Sequence, residues 1–168
     1  KHVNPGGSAF GKLLPGDVLI KVNGQYLSDF LSLEEILDSS VGKTIDVEID
    51  RGSKKIELKI VPEDLHSITP SSFVEACGGI FHRLSYQMAR HYNVPVNGLF
   101  VAFSGYCLSE ANIFRKTVIK KVNDQEVNST EEFWELAKNF THGEKIQVHY
   151  FSLGEAYRLR RAVFTWDR

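Results

Sequence analysis

The sequence is short of every residue set from which a self-contained reaction centre is built. Its 168 residues hold two cysteines, Cys77 and Cys107. They are too few for a disulfide framework and do not stand in Cys-x-x-Cys spacing, so a reducing compartment is the simplest setting. The six histidines (His2, His66, His82, His91, His142, His149) are dispersed. None forms a His-x-x-x-His pair or has a carboxylate at ligand spacing, so neither a metal nor another cofactor is expected. A serine nucleophile would need a histidine base, an orienting acid and an oxyanion hole. Ser104-Gly105 is the one faint echo, and it lacks the preceding glycine; His82 or His91 would supply a base that no acid orients. No catalytic residue is therefore assigned. Charge is balanced as well, 20 Lys and Arg against 21 Asp and Glu, which leaves no basic footprint for nucleic acid. The local cluster Arg158, Arg160 and Arg161 reads instead as charge protecting an edge strand. No apolar run approaches the ~20 residues of a membrane span, and no signal peptide opens the chain. The first residue is Lys1, and the sequence is read as a piece of a longer protein.

What is present is organised around Pro5 to Gly24. Pro5-Gly6-Gly7 is a turn with free backbone geometry, since glycine takes positive φ at no steric cost. Pro15-Gly16-Asp17 is a second turn, with proline and glycine at the corner positions of type II. Val18 to Val22 is then long enough for one buried strand, closed by the tight-turn dipeptide Asn23-Gly24. Ser32-Leu-Glu-Glu35 has the pattern of a capping box, and Leu33, Ile36 and Leu37 fall at helical spacing over about 33–39. Ile45, Val47 and Ile49, then Ile56, Leu58 and Ile60, alternate with charged residues, as the two strands of a hairpin do. From 62 to 71 two prolines and a polar cluster break the alternation, which marks a linker.

Beyond the linker the first segment recurs. Val118 to Val127 lies over Leu19 to Leu27, Ser129-Thr-Glu-Glu132 repeats the capping pattern, and Gly143 to Val148 repeats Gly42 to Val47. Repetition of turn, cap and strand in one order indicates two copies of one fold, the first over 1–61 and the second over 72–168. Counted from these anchors the second copy gains four residues, about one helical turn, which predicts a longer helix over 131–140. The second copy also carries an N-terminal portion that the first lacks: Phe73 to Leu84, a helix-like Ser85 to Tyr92, and a strand from Gly98 to Ala102. In the first copy only His2-Val3 would answer to that strand. In place of the Pro-Gly-Asp turn the second copy has Ser104 to Lys116, read as a degenerate turn.

The order Gly-Ser-Ala, then Leu-x-Pro-Gly-Asp-Val-Leu-Ile-x-Val-Asn-Gly, resembles the PDZ domains of HtrA/Deg-type serine proteases. Asp64-Leu-His-Ser-Ile-Thr-Pro70 resembles the junction between consecutive PDZ modules in the large eukaryotic members, fungal and plant. The resemblance implies an α+β, mostly β fold: two PDZ-like, partly open β-barrels or sandwiches in tandem, each with one or two short helices. It implies a non-catalytic segment of a serine endopeptidase that recognises hydrophobic peptides or protein C-terminal segments and regulates or positions the protease unit. The alternative is a structural scaffold with no free-peptide binding. Expected partners are such peptide ends and the protease domain of the same chain, with self-association into a homo-oligomer left open, and neither nucleic acid nor membrane. The implied location is intracellular: nucleus or cytoplasm, or the chloroplast for a plant-like member. A PDZ domain adds an extended peptide to a strand edge, and backbone N–H groups hold its terminal carboxylate. By resemblance the carboxylate loop falls on Cys77, Gly78, Gly79 and Ile80, and the peptide-pairing strand on Ile80, Phe81 and His82. The Gly78-Gly79 pair is equally compatible with an ordinary tight turn. The facing wall would be the 131–140 helix, where Phe133, Leu136, Ala137 and Phe140 share a face and Trp134 lies off it. Phe133, Leu136 and Phe140 are also compatible with plain core, whereas Ala137 and Trp134 would border the groove.

Overall fold

The computed structural model describes residues 3–167. Its contacts divide the chain into two compact units, 1–68 and 69–168. The architecture is α+β and mostly strand, with four α-helices and two open sheets.

In the first unit, strands β1 (Val18–Val22), β2 (Gln25–Tyr26), β3 (Ile45–Arg51) and β4 (Lys54–Ile60) form a sheet of order β2-β1-β3-β4, with helix α1 (Phe30–Ser39) between β2 and β3. Alternation puts Ile45, Val47 and Ile49 into the core beside Val22 and Ile60, while Leu33, Ile36 and Leu37 of α1 pack on it only partly buried. The helix begins three residues earlier than expected. Its cap is Asp29, whose carboxylate accepts from the Ser32 N–H at 2.8 Å, so Ser32 lies inside the first turn and is not the cap. Asp17, beyond the Pro15-Gly16 turn, holds that turn from both sides. It accepts from the Leu14 N–H and, in a fork, from Arg51, each at 2.7 Å.

The second unit adds to the same plan. Strands β5 (Val74–Ala76), β6 (Gly79–Arg83), β7 (Leu99–Phe103), β8 (Thr117–Val122), β9 (Gln125–Glu126), β10 (Lys145–Ser152) and β11 (Arg160–Thr165) make one sheet. Its order is β11-β10-β8-β7-β6-β5, with β9 paired to β8. Helices α2 (Tyr86–Tyr92), α3 (Gly105–Glu110) and α4 (Thr130–Ala137) and a 3-10 turn (Leu153–Glu155) join the strands. Ser129 caps α4 by accepting from Glu132 N–H, and the Glu132 carboxylate accepts in return from Asn128 N–H at 2.7 Å. The 104–116 stretch is not a bare degenerate turn, because α3 occupies its first half.

The local parts of the two units match residue for residue. β1 pairs with β3 through Val18–Asp50, Leu19–Ile49, Lys21–Glu48 and Val22–Val47, with a bulge between Leu19 and Lys21. β8 pairs with β10 through Val118–Phe151, Ile119–Tyr150, Lys121–His149 and Val122–Val148, with the bulge at the same place. Asn23 and Asn123 both adopt left-handed backbone, φ 50° and 45°, and each side chain accepts the N–H of the residue facing it on the long strand, Asp46 at 3.0 Å or Gln147 at 2.9 Å. Asp29 and Ser129 occupy equivalent cap positions, so only one residue separates the two spacings from cap to long strand. The expected four-residue gain came from taking Ser32 as the cap. With it falls the longer second helix: α4 has 8 residues and α1 has 10. Val3 stands outside any strand, and His2 lies outside the described residues.

Arg51 holds the Asp17 carboxyl down, from 3.8 to about 2, against the opposing effect of burial. A depressed folded-state pKa stabilises above the unfolded value, so the pair's contribution is full above pH about 4 and is lost as pH falls toward 2. Arg51→Met should therefore flatten the acid dependence of first-unit unfolding in that window, measured by thermal melts at stepped pH. Lys116 occupies the place of Gly16 with φ 65°. Lys116→Gly should stabilise the second unit by about 0.5–1 kcal/mol in denaturant unfolding, the left-handed penalty relieved less the added entropy of glycine.

Candidate peptide-binding groove

The groove region of the second unit lies between β6 and α4. Phe81 on β6 and Phe133 on α4 approach to a ring-centroid distance of 5.2 Å, and Phe133 also meets Trp166, which packs on Phe140 at 5.2 Å. Phe81, Phe133, Ala137 and Cys77 join one buried cluster. Of the expected site residues these four come together. Trp134 stays apart at 52% exposure, on the outer side of α4. Ile80 and His82 project to the other face of β6, as strand alternation requires. There the His82 ring stacks on Phe100 at 4.9 Å, and its Nδ1 lies 2.7 Å from the Arg83 carbonyl oxygen.

The expected peptide-pairing strand, Ile80–His82, has a strand on each of its edges. β5 pairs antiparallel with β6 through Val74–Phe81, Glu75–Ile80 and Ala76–Gly79, and β7 takes the other edge. Cys77 and Gly78, with φ 51° and 68°, are the two central residues of the β5–β6 hairpin, the pattern of a type I′ loop. Gly79 is the first residue of β6. The turn is also covered: a Cβ on Gly105, at the start of α3, would stand 2.4 Å from the Gly78 carbonyl carbon and 2.5 Å from the Gly79 nitrogen. On Gly78 it would stand 2.8 Å from the Tyr106 ring. The glycines at 78 and 105 let two backbones meet. The Cys77 thiol, pushed up to about 12 by burial, is an inert thiol at neutral pH. Its sulfur lies 3.3 Å from both the N and the O of Asp167 and ties the turn to the end of β11. The Asp167 carboxylate accepts from Tyr106 Oη, raising that phenol to about 12, and meets His142 Nδ1 at 2.9 Å.

Val74 and Ala76 point into the cluster formed by Phe81, Phe133 and Ala137. Two residues upstream on the same face, Ser72 Oγ lies 3.2 Å from Thr130 Oγ1 at the first residue of α4 and 3.4 Å from Glu131 Oε1. Between this segment and β6 an open cleft of about 370 Å³ is lined by Pro70, Ser71, Ser72, Phe73, His82 and Ser85. The signal was present in Val74-Glu75-Ala76-Cys77-Gly78: one alternation followed by a two-residue loop. Among the described residues no cluster of His, Cys, Asp and Glu could hold a metal ion, and no helix is long and apolar enough to cross a membrane.

A strand, a tight turn, a second strand and a helix lying alongside are the groove parts of one known class. Residues 67–143 match the family described as the PDZ-like domain. Over nearly its whole length the chain is homologous to a segment of HtrA/Deg-type serine proteases. It is 38% identical to Protease Do-like 7 of Arabidopsis thaliana over 165 residues, 98% of this chain and 15% of that protein. It is 40% identical to the pro-apoptotic serine protease NMA111 of Chaetomium globosum over 166 residues, 99% of this chain and 16% of that protein. To nma111 of Aspergillus terreus it is 37% identical over 164 residues, again 98% against 16%. The chain thus spans 15–16% of the length of the curated relatives it matches.

Gly105→Ala should cost the second unit about 3 kcal/mol or more in urea unfolding, because the new Cβ would meet backbone atoms that cannot move aside. Gly78→Ala meets only the end of a tyrosine ring, so it should cost about 1–2 kcal/mol, mainly the left-handed penalty.

Proposed function

We propose that the chain is a non-catalytic tandem pair of PDZ-like modules from an HtrA/Deg-type serine endopeptidase, which takes extended hydrophobic peptide or C-terminal segments and positions or regulates the protease unit. The observation that carries the reading is the apolar cluster of Phe81 on β6 with Phe133 and Ala137 on α4, against which the extended chain Val74–Ala76 packs. An apolar pocket beside a strand is what strand addition needs: backbone hydrogen bonds for affinity and pockets for alternate side chains. The matching bulge, asparagine corner and cap position in the first unit support a second module of the same kind. Homology to proteins named as serine proteases supports the parent activity, which this segment would serve without supplying nucleophile, base or acid.

A structural scaffold is the second reading, favoured by the paired outer edge of β6. Titration of the chain with a library of hydrophobic C-terminal peptides, followed by amide chemical shifts, separates the two. Saturable shifts centred on β6 and α4 are expected; no saturable binding to any peptide would leave the scaffold. Casein hydrolysis by the chain should be absent, and hydrolysis blocked by a serine-directed covalent inhibitor would overturn the non-catalytic assignment.

A further inference from the structure

We infer that Ser72–Ala76 is a built-in ligand of the second-unit groove, a pseudo-peptide that an external peptide of like chemistry must displace. The inference rests on the peptide-groove reading above and names what the groove selects.

Four observations carry it. The segment runs antiparallel to β6 with its C-terminal end at the Cys77-Gly78 turn, so it uses the strand edge that an added peptide would use. Its two inward residues, Val74 and Ala76, pack on the cluster that holds Phe81, Phe133 and Ala137. Ser72, exposed upstream of the strand, places a hydroxyl 3.2 Å from Thr130 Oγ1. Its outward residues fill nothing: Glu75 is exposed, and Phe73 is exposed at 66%. Finally, its hold is short. Strand pairing covers three residues, and upstream of Val74 the chain stands off β6 and leaves the 370 Å³ cleft toward His82 and Ser85.

The occupant defines the class of competitor. It is an extended peptide with a small apolar residue at its last position, a β-branched apolar residue two before it and a hydroxyl four before it, indifferent to the residues between. The cleft beside Phe73 offers a displacing chain a place to start, and each strand hydrogen bond it forms replaces one that the segment gives up.

The test uses the whole chain and, as probe, a fluorescent peptide of the segment's own sequence, Ser-Ser-Phe-Val-Glu-Ala with a free carboxylate. The pair beside a two-residue loop, Ala76–Gly79, exchanges ladder hydrogen bonds, as does Val74–Phe81, whereas Glu75–Ile80 does not. Val74→Pro therefore removes a donor that the ladder uses while leaving β6 and α4 unchanged. The pair Ser72→Cys and Thr130→Cys places two thiols where two hydroxyls now touch, so that oxidation ties the segment down and reductant frees it. Relative to the native chain, Val74→Pro should bind the probe at least tenfold more tightly. The oxidised double variant should lose binding at least tenfold, and reductant should restore it. A probe with aspartate in place of its valine should bind none of them. Equal affinity for native, Val74→Pro and oxidised double variant would overturn the built-in ligand and leave peptide recognition standing. No binding by native, Val74→Pro or reduced double variant would overturn both. Should Val74→Pro fail to fold, the oxidised-against-reduced comparison decides alone.

Discussion

A strand edge beside an apolar pocket cannot be left bare. Its N–H and C=O groups need partners and its pocket needs filling, and an unsatisfied edge of this kind recruits whatever chain is near. In the second unit this demand falls on β6, whose inner residue Phe81 packs beside Phe133 of α4 and must be covered. The chain meets it locally, by folding Val74–Ala76 back through a two-residue turn. The rest of the unit follows from that solution. The turn must be tight, so Cys77 and Gly78 take positive φ; it must also pass under α3, so Gly105 can carry no side chain. The end of β11 closes over it through Cys77 and Tyr106, both meeting Asp167.

How much of this the sequence discloses depends on the range of the interaction responsible. Val18–Val22, the Ile45–Ile49 and Ile56–Ile60 hairpin and the Asn23-Gly24 turn are written in adjacent residues, and the structure has each of them. The recurring corner was legible for the same reason, since Asn23 and Asn123 do one local job, a left-handed corner whose side chain replaces a ladder acceptor. The cap of α1 was misplaced because Asp29 and Ser32 both satisfy the local rule. The choice between them is made by where Leu33, Ile36 and Leu37 meet the sheet, which is tertiary. The α3 helix was hidden for a similar reason. Gly105 at its start is unfavourable by propensity and is required by a contact with residues 77–79, far away in sequence.

The candidate site shows the same division. Phe133 and Ala137 could be placed on one helix face from spacing alone, and they join one buried cluster with Phe81. What spacing could not show is which chain lies against them. A strand of three residues, Val74–Ala76, is too short for its alternation to stand out, and only its pairing with β6 reveals which segment lies there.

The first unit gives the contrast that isolates the groove from the repeat. It has the same bulge, corner, cap and long hairpin, yet among the described residues β1 pairs only with β2 and β3. Val18 is 61% exposed where its counterpart Val118, covered in part by β7, is fully buried. α1 buries none of its residues, whereas α4 buries Thr130, Phe133 and Ala137. The repeated half is therefore a frame. It fixes where a helix and a central strand stand, and it becomes a pocket only where β6 supplies a second wall with Phe81 on it. The proline-glycine-aspartate motif that advertises the frame sits in the unit without that wall, and the unit that has the wall has replaced the motif's glycine by Lys116 while keeping its backbone. Motif and groove answer to different constraints, the one a local turn and the other a strand edge that had to be covered.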